Sequence, residues 1–180
     1  AVWDLVTGQF LRTLQGHVAG ALRGITFSHN GRMLAAFGVD GFMVLWDVAS
    51  GQERRRFSRA QWPIFSPDDA FLATGTETSD LVLWDTRTGE TQRTFDDGGY
   101  PLAFLAEGRG LASRRLGRVI LWDLESGEER RTINEVPELA AVSPDGRWLA
   151  TGGADRLARL VDTASTLVER VFEGHTAHVM

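Results

Sequence analysis

Carboxylates able to hold a metal ion or run acid/base chemistry are plentiful and histidines number four, but their spacing argues against a reactive centre. His175 and His178 are spaced like two metal ligands, but no third ligand stands near them and His175 belongs to a Gly-His pair already present as Gly16-His17. Gly108-x-Gly110 is a shortened glycine pattern in a hairpin turn with no helix after it, so it does not form a phosphate cradle. Asp4, Asp47, Asp85, Asp123 and Asp162 recur at a near-constant interval, which points to repeated turn and capping work rather than to one acid/base pair. Gly-x-Ser-x-Gly, phosphate-loop, His-Glu-x-x-His and calcium-loop patterns are absent. With no cysteine, disulfides, thiolate metal sites and thiol nucleophiles are excluded. No catalytic residue, metal ion or cofactor is expected, and the chain is read as non-enzymatic.

The periodic aspartates lead to the elements that must carry them. Val44-Leu45-Trp46-Asp47-Val48-Ala49-Ser50-Gly51 returns as Val82 to Gly89 and as Ile120 to Gly127, with a clipped copy at Val2 to Gly8 and a degraded one at Arg159 to Ser165. Trp3, Trp46, Trp84 and Trp122 are 43, 38 and 38 residues apart, and Val161 follows 39 later, so the chain is an array. Each copy reads as four short strands. The first ends at a Ser-Pro-Asp-Gly type turn, as in Ser66-Pro67-Asp68-Asp69 and Ser143-Pro144-Asp145-Gly146. The second carries Leu-Ala and a small residue. The third, Phe42 to Trp46 in the first full copy, is apolar throughout and fits burial on both faces. The fourth, Gln52 to Phe57, is charged, as an exposed sheet edge should be, so Arg54 to Arg56, Arg93, Glu129 to Arg131 and Glu169-Arg170 are read as solvated edge charges. The resulting division is a half-unit at 1–15, units at 16–57, 58–95, 96–133 and 134–173, and the start of another at 174–180.

Composition narrows the partners. A net charge of −5 argues against nucleic acid and anionic membrane. No apolar run reaches about 18 residues, and the N-terminus lacks the basic and apolar regions of a signal peptide, so a cytoplasmic location is expected. All nineteen basic residues are arginine, a usage that fits a GC-rich genome and leads to the expectation of a bacterial source.

Trp-Asp at the end of the third strand, with Gly16-His17 and Gly174-His175 before the first, makes the chain resemble the WD40 repeat family over essentially its whole length. The resemblance implies an all-β, WD40-type β-propeller fragment of four complete four-stranded antiparallel blades plus a terminal half-blade. It also implies a hydrogen-bonded His, Ser/Thr, Asp and Trp set within each blade. The matching residues are His17, Asp40 and Trp46 in the first blade, with Ala36 where the hydroxyl should be. The second blade offers Thr74 and Trp84, the third Ser113 and Trp122, and the fourth Thr151 and Asp155, with Val161 replacing the tryptophan. No set is intact, so apolar packing is expected to dominate.

What such a scaffold implies is protein or peptide binding through loops on one face. Aligned strands place Arg23, Gln61, Tyr100 and Glu138 at equivalent rim positions, with Arg59 and Arg115 nearby, and these six are the expected contacts. Trp62 and Trp148 fall out of phase with the other tryptophans and could be exposed. Open blade edges allow self-association. The alternative is a regulatory or substrate-gating propeller segment of a larger bacterial enzyme, a kinase or a peptidase.

Overall fold

The computed structural model describes residues 1–17, 21–105, 109–134, 139–143, 145–152, 155–165, 167–174 and 176. The strands form four four-stranded antiparallel sheets in sequential order, and no helix occurs among the described residues. The first blade is β3 (Leu22–Phe27), β4 (Met33–Gly38), β5 (Phe42–Asp47) and β6 (Glu53–Ser58). The second is β7 (Ala60–Phe65), β8 (Phe71–Thr76), β9 (Leu81–Asp85) and β10 (Thr91–Phe95). The third is β11 (Tyr100–Phe104), β12 (Gly110–Arg115), β13 (Arg118–Asp123) and β14 (Glu129–Ile133). The fourth is β15 (Leu139–Val142), β16 (Trp148–Gly152), β17 (Ala158–Asp162) and β18 (Val168–Phe172). A two-stranded half-blade, β1 (Val2–Trp3) and β2 (Phe10–Arg12), precedes them. The inner strands β3, β7, β11 and β15 lie side by side in that order, the radial arrangement of a β-propeller.

Alternation along a strand explains why the third strand of the first three blades carries an unbroken apolar run before its aspartate. On β5, Met43 and Leu45 join a core with Phe65 and Leu72 of the second blade, while Val44 and Trp46 turn to the opposite face with Leu34, Ala36 and Leu14. Ala73, Leu81 and Leu83 of the second blade likewise share a core with Phe104, Leu111 and Ile120 of the third. The cores lie between blades, so each of the first three sheets buries both faces, and the fourth buries the face toward the third.

Two kinds of side chain on the outer strand bind one blade to the next. The first is aromatic: Phe57 packs at a tilt against Trp84 with centroids 4.9 Å apart, and Phe95 against Trp122 at 5.0 Å. The second is arginine, and it corrects the reading of the outer strand as merely solvated. Arg55 donates from Nε to the carbonyl of Thr88 (3.2 Å) and from Nη2 to that of Arg87 (3.3 Å). Arg93 donates to the carbonyls of Ser126 (2.9 Å) and Glu125 (3.0 Å). Arg12 reaches the Ala49 carbonyl and Arg131 the Ala164 carbonyl. Each acceptor lies in the turn between the third and fourth strands of the following blade. Arg170 and Phe172 hold the same positions on β18 and are exposed.

The recurrent aspartate builds that turn. Asp85 Oδ1 accepts from the N–H of Arg87 (2.9 Å) and Thr88 (2.7 Å), and Asp123 Oδ1 from those of Glu125 and Ser126, both at 2.8 Å. Asp47 does the same for Ser50, and Asp162 for Ala164 and Ser165. With the carbonyls thus turned outward, the arginine of the preceding blade can reach them. Gly89 closes its turn with φ of 76°, and a Cβ there would stand 2.8 Å from Cδ of Arg55. Near the first-strand turns a third tie links blades: Asp69 accepts from the N–H groups of His29 (2.7 Å) and Asn30 (2.9 Å) of the first blade. Burial works against ionisation of Asp69, yet these N–H donors and the His29 ring hold its carboxyl below the usual range.

Candidate functional site: a cleft along the inner strands

A β-bulge interrupts the inner strand in each of the first three blades. Arg23 is the extra residue between the Leu22–Gly38 and Gly24–Phe37 pairs, and Leu102 the extra one between Pro101–Ser113 and Ala103–Ala112. Trp62 and Pro63 together lie between Gln61–Gly75 and Ile64–Ala73. A bulge re-aims the side chain it carries, and here Arg23, Trp62 and Leu102 all line one cleft of about 670 Å³. The first bulge also hides the outer Leu22–Gly38 pairing of β3 from a simple alternation pattern.

Trp62 has a left-handed backbone, φ 54°, which a bulky side chain rarely adopts. Its ring packs on Phe37 of the first blade (5.0 Å) and meets Tyr100 of the third edge-on (6.4 Å). Both Trp62 (49%) and Tyr100 (40%) keep a large exposed surface. Tyr100 lies across Gly75 of the second blade, where a Cβ would collide with its ring. The linkers between blades are themselves tied to the turns joining the second and third strands: Arg59 N–H donates to Gly41 O (2.9 Å) and Gly99 N–H to Ser79 O (2.7 Å).

On the far wall, β12 and β13 are joined by a two-residue turn, Leu116 (φ 46°) and Gly117 (φ 73°), the mirror-type turn suited to hairpins. It brings Arg114, Arg115 and Leu116 into the cleft. The Arg115 guanidinium pairs with the carboxylate of Asp97, and its Nε is buried with no acceptor among the described residues.

Of the six expected contacts, Arg23, Gln61, Tyr100 and Arg115 line the cleft together. Arg59 does not line it; it sits in the exposed linker with a left-handed backbone, φ 59°. Glu138 lies outside the described residues, as do His175 and His178. Trp62, whose phase alone decides nothing, is at the centre of the cleft, and Arg114 joins it without any signal in the repeat pattern. Trp148 is half-buried beneath the Arg147 guanidinium, 4.6 Å from its ring centroid.

The blade-internal polar set is present in pieces. His17 Nδ1 lies 2.9 Å from Asp40 Oδ2, and its Nε2 is 3.3 Å from the Ala36 carbonyl. With no hydroxyl at Ala36, the Trp46 indole N–H donates instead to the Gln15 carbonyl at 2.7 Å. Trp84 donates to Thr74 Oγ1 (2.9 Å) and Trp122 to Ser113 Oγ (2.8 Å). In the fourth blade Thr151 is buried, and Asp155 pairs with Arg159 at 2.5 Å. These groups hold blades together and lie apart from the cleft lining.

Residues 8–47 and 134–162 match the WD40 family, described as WD domain, G-beta repeat. These two segments carry the WD40 repeat signal. They hold Asp40 and Asp155; the second and third blades, which have no aspartate in phase with Asp40, form the same four-stranded sheets, so the propeller architecture runs on through the unmatched stretch. Over 51 residues the chain is 41% identical to retinoblastoma-binding-like protein E of Dictyostelium discoideum, a match covering 28% of this chain and 10% of that protein. The match therefore takes in about a tenth of the relative's length. The relative is eukaryotic and lends no support to a bacterial source. WD40 repeats generally mediate protein–protein interaction without catalysis.

Proposed function

We propose that this chain is a non-catalytic WD40 interaction scaffold that takes a protein or peptide partner in the inner-strand cleft. The observation that carries this reading is that bulges in three successive blades turn Arg23, Trp62 and Leu102 into one recess. Holding a tryptophan at positive φ costs of order 1–3 kcal/mol, and such strain gathers at binding sites. Exposed tryptophan, tyrosine and arginine are the side chains that dominate binding energy at interfaces. The relative's description, retinoblastoma-binding-like, is in keeping with a binding role of this general kind.

Affinity capture from an extract of the encoding organism, with the chain immobilised, tests the reading. Trp62→Ala and Arg115→Ala are expected to lose the partner recovered by the wild type, while Arg59→Ala, outside the cleft, retains it. Equal recovery by all four proteins would remove the cleft from consideration.

A further inference from the structure

The chemistry of the cleft selects a class of ligand, a selection that rests on the cleft being the binding site. The chain carries 24 acidic and 19 basic residues, yet the cleft is lined by three arginines and no carboxylate. Asp97 sits beside it and engages Arg115. The side chains of Arg23 and Arg114 have no ion-pair or hydrogen-bond partner among the described residues. An acidic protein that concentrates unpaired guanidiniums in one recess gives that recess a potential opposite to the rest of its surface, which attracts anions and repels cations.

The same recess has an apolar floor. Trp62 and Tyr100 meet at 6.4 Å with their rings 76° apart, leaving a corner open to solvent, and Pro101, Leu102 and Leu116 continue the surface. A volume near 670 Å³ suits a few side chains rather than a folded domain. A free inorganic anion would use the arginines and leave the aromatic corner wet; a purely apolar segment would bury the guanidiniums unpaired, at a cost.

We infer that the cleft binds an acidic peptide segment of a partner protein, with an aromatic or leucine side chain seated against Trp62 and Tyr100 and carboxylates paired with Arg23 and Arg114. Guanidinium and carboxylate match in a two-point geometry that an ammonium or amide cannot reproduce.

Fluorescence anisotropy with labelled synthetic peptides tests this on the full chain. The probe is a short peptide in which glutamates flank a central tryptophan and leucine; the controls carry glutamine or arginine at the glutamate positions, and a single-stranded DNA oligonucleotide of equal charge is a fourth arm. The acidic peptide is expected to bind, the glutamine form at least about tenfold more weakly, and the arginine form not at all, with affinity falling as salt is raised. Arg23→Ala, an exposed substitution that leaves packing intact, and Arg114→Gln are each expected to weaken the acidic peptide about three- to tenfold, with thermal midpoints unchanged. Equal binding of the glutamine peptide, preference for the arginine peptide, or tighter binding of the oligonucleotide overturns the inference. If no peptide binds while Trp62→Ala still abolishes partner capture, the acidic ligand is wrong and the binding cleft stands; if capture is also unaffected, the site itself is wrong.

Discussion

Ser113 and Trp122 show what one hydroxyl does in a blade core. Ser113 is fully buried, and its Oγ accepts the Trp122 indole N–H at 2.8 Å. Ser113→Ala leaves a buried donor without its acceptor and is expected to cost about 1–3 kcal/mol, read from the denaturation midpoint. An unchanged midpoint would mean that the indole finds a backbone acceptor, as Trp46 does at Gln15. That substitute is invisible in the sequence, because a carbonyl oxygen has no residue-type signature. Strand alignment and residue type do single out Arg23, Gln61, Tyr100 and Arg115, which line one cleft. They do not rank Trp62 or find Arg114, whose placement depends on bulges and on a two-residue turn, features of strand register rather than of composition. Arg59 is misplaced by its spacing because equal distance from the repeat anchor does not carry a side chain through a left-handed backbone.

Among the elements, the turn between the third and fourth strands governs both acid stability and the grip between blades. The N–H of Ser126, then the Arg130 guanidinium, lower Asp123 from 3.8 to about 2, and Asp47, Asp85 and Asp162 are lowered by the N–H groups of their own turns. A folded-state value below the unfolded one means that these carboxylates stabilise the fold above the unfolded value and lose that contribution as pH falls through the folded one. The thermal midpoint is therefore expected to drop as pH is lowered from 3.8 toward 2, and Asp123→Asn to make that drop shallower. The arginine that receives this turn's carbonyls has a separate test. Arg93→Ala removes hydrogen bonds to Ser126 and Glu125 and is expected to cost about 1 kcal/mol, a fall of roughly 2–4 °C in midpoint for a chain of this size. The signal for these arginines is present in the sequence, since Arg12, Arg55, Arg93, Arg131 and Arg170 each follow a periodic aspartate by eight residues. Edge protection masks it, because charge on an outer strand has that simpler explanation.

At the scale of the molecule, the repeat carries nearly all of the architecture: sheet number, strand order, and burial of the third strand on both faces in the first three blades follow from a period near 38 residues and from alternation within each strand. What alternation cannot supply is which blade gives and which receives at each joint. Every arginine donor comes from the earlier blade and every carbonyl acceptor from the later one. Each unit thus carries one half of two different joints, a donor toward its successor and an acceptor toward its predecessor. Duplicating one whole period in the gene inserts a blade whose joints are both complete, whereas gaining or losing a fraction of a period leaves a donor without its acceptor. The joint supplies a stereochemical reason for such arrays to lengthen and shorten by whole repeats.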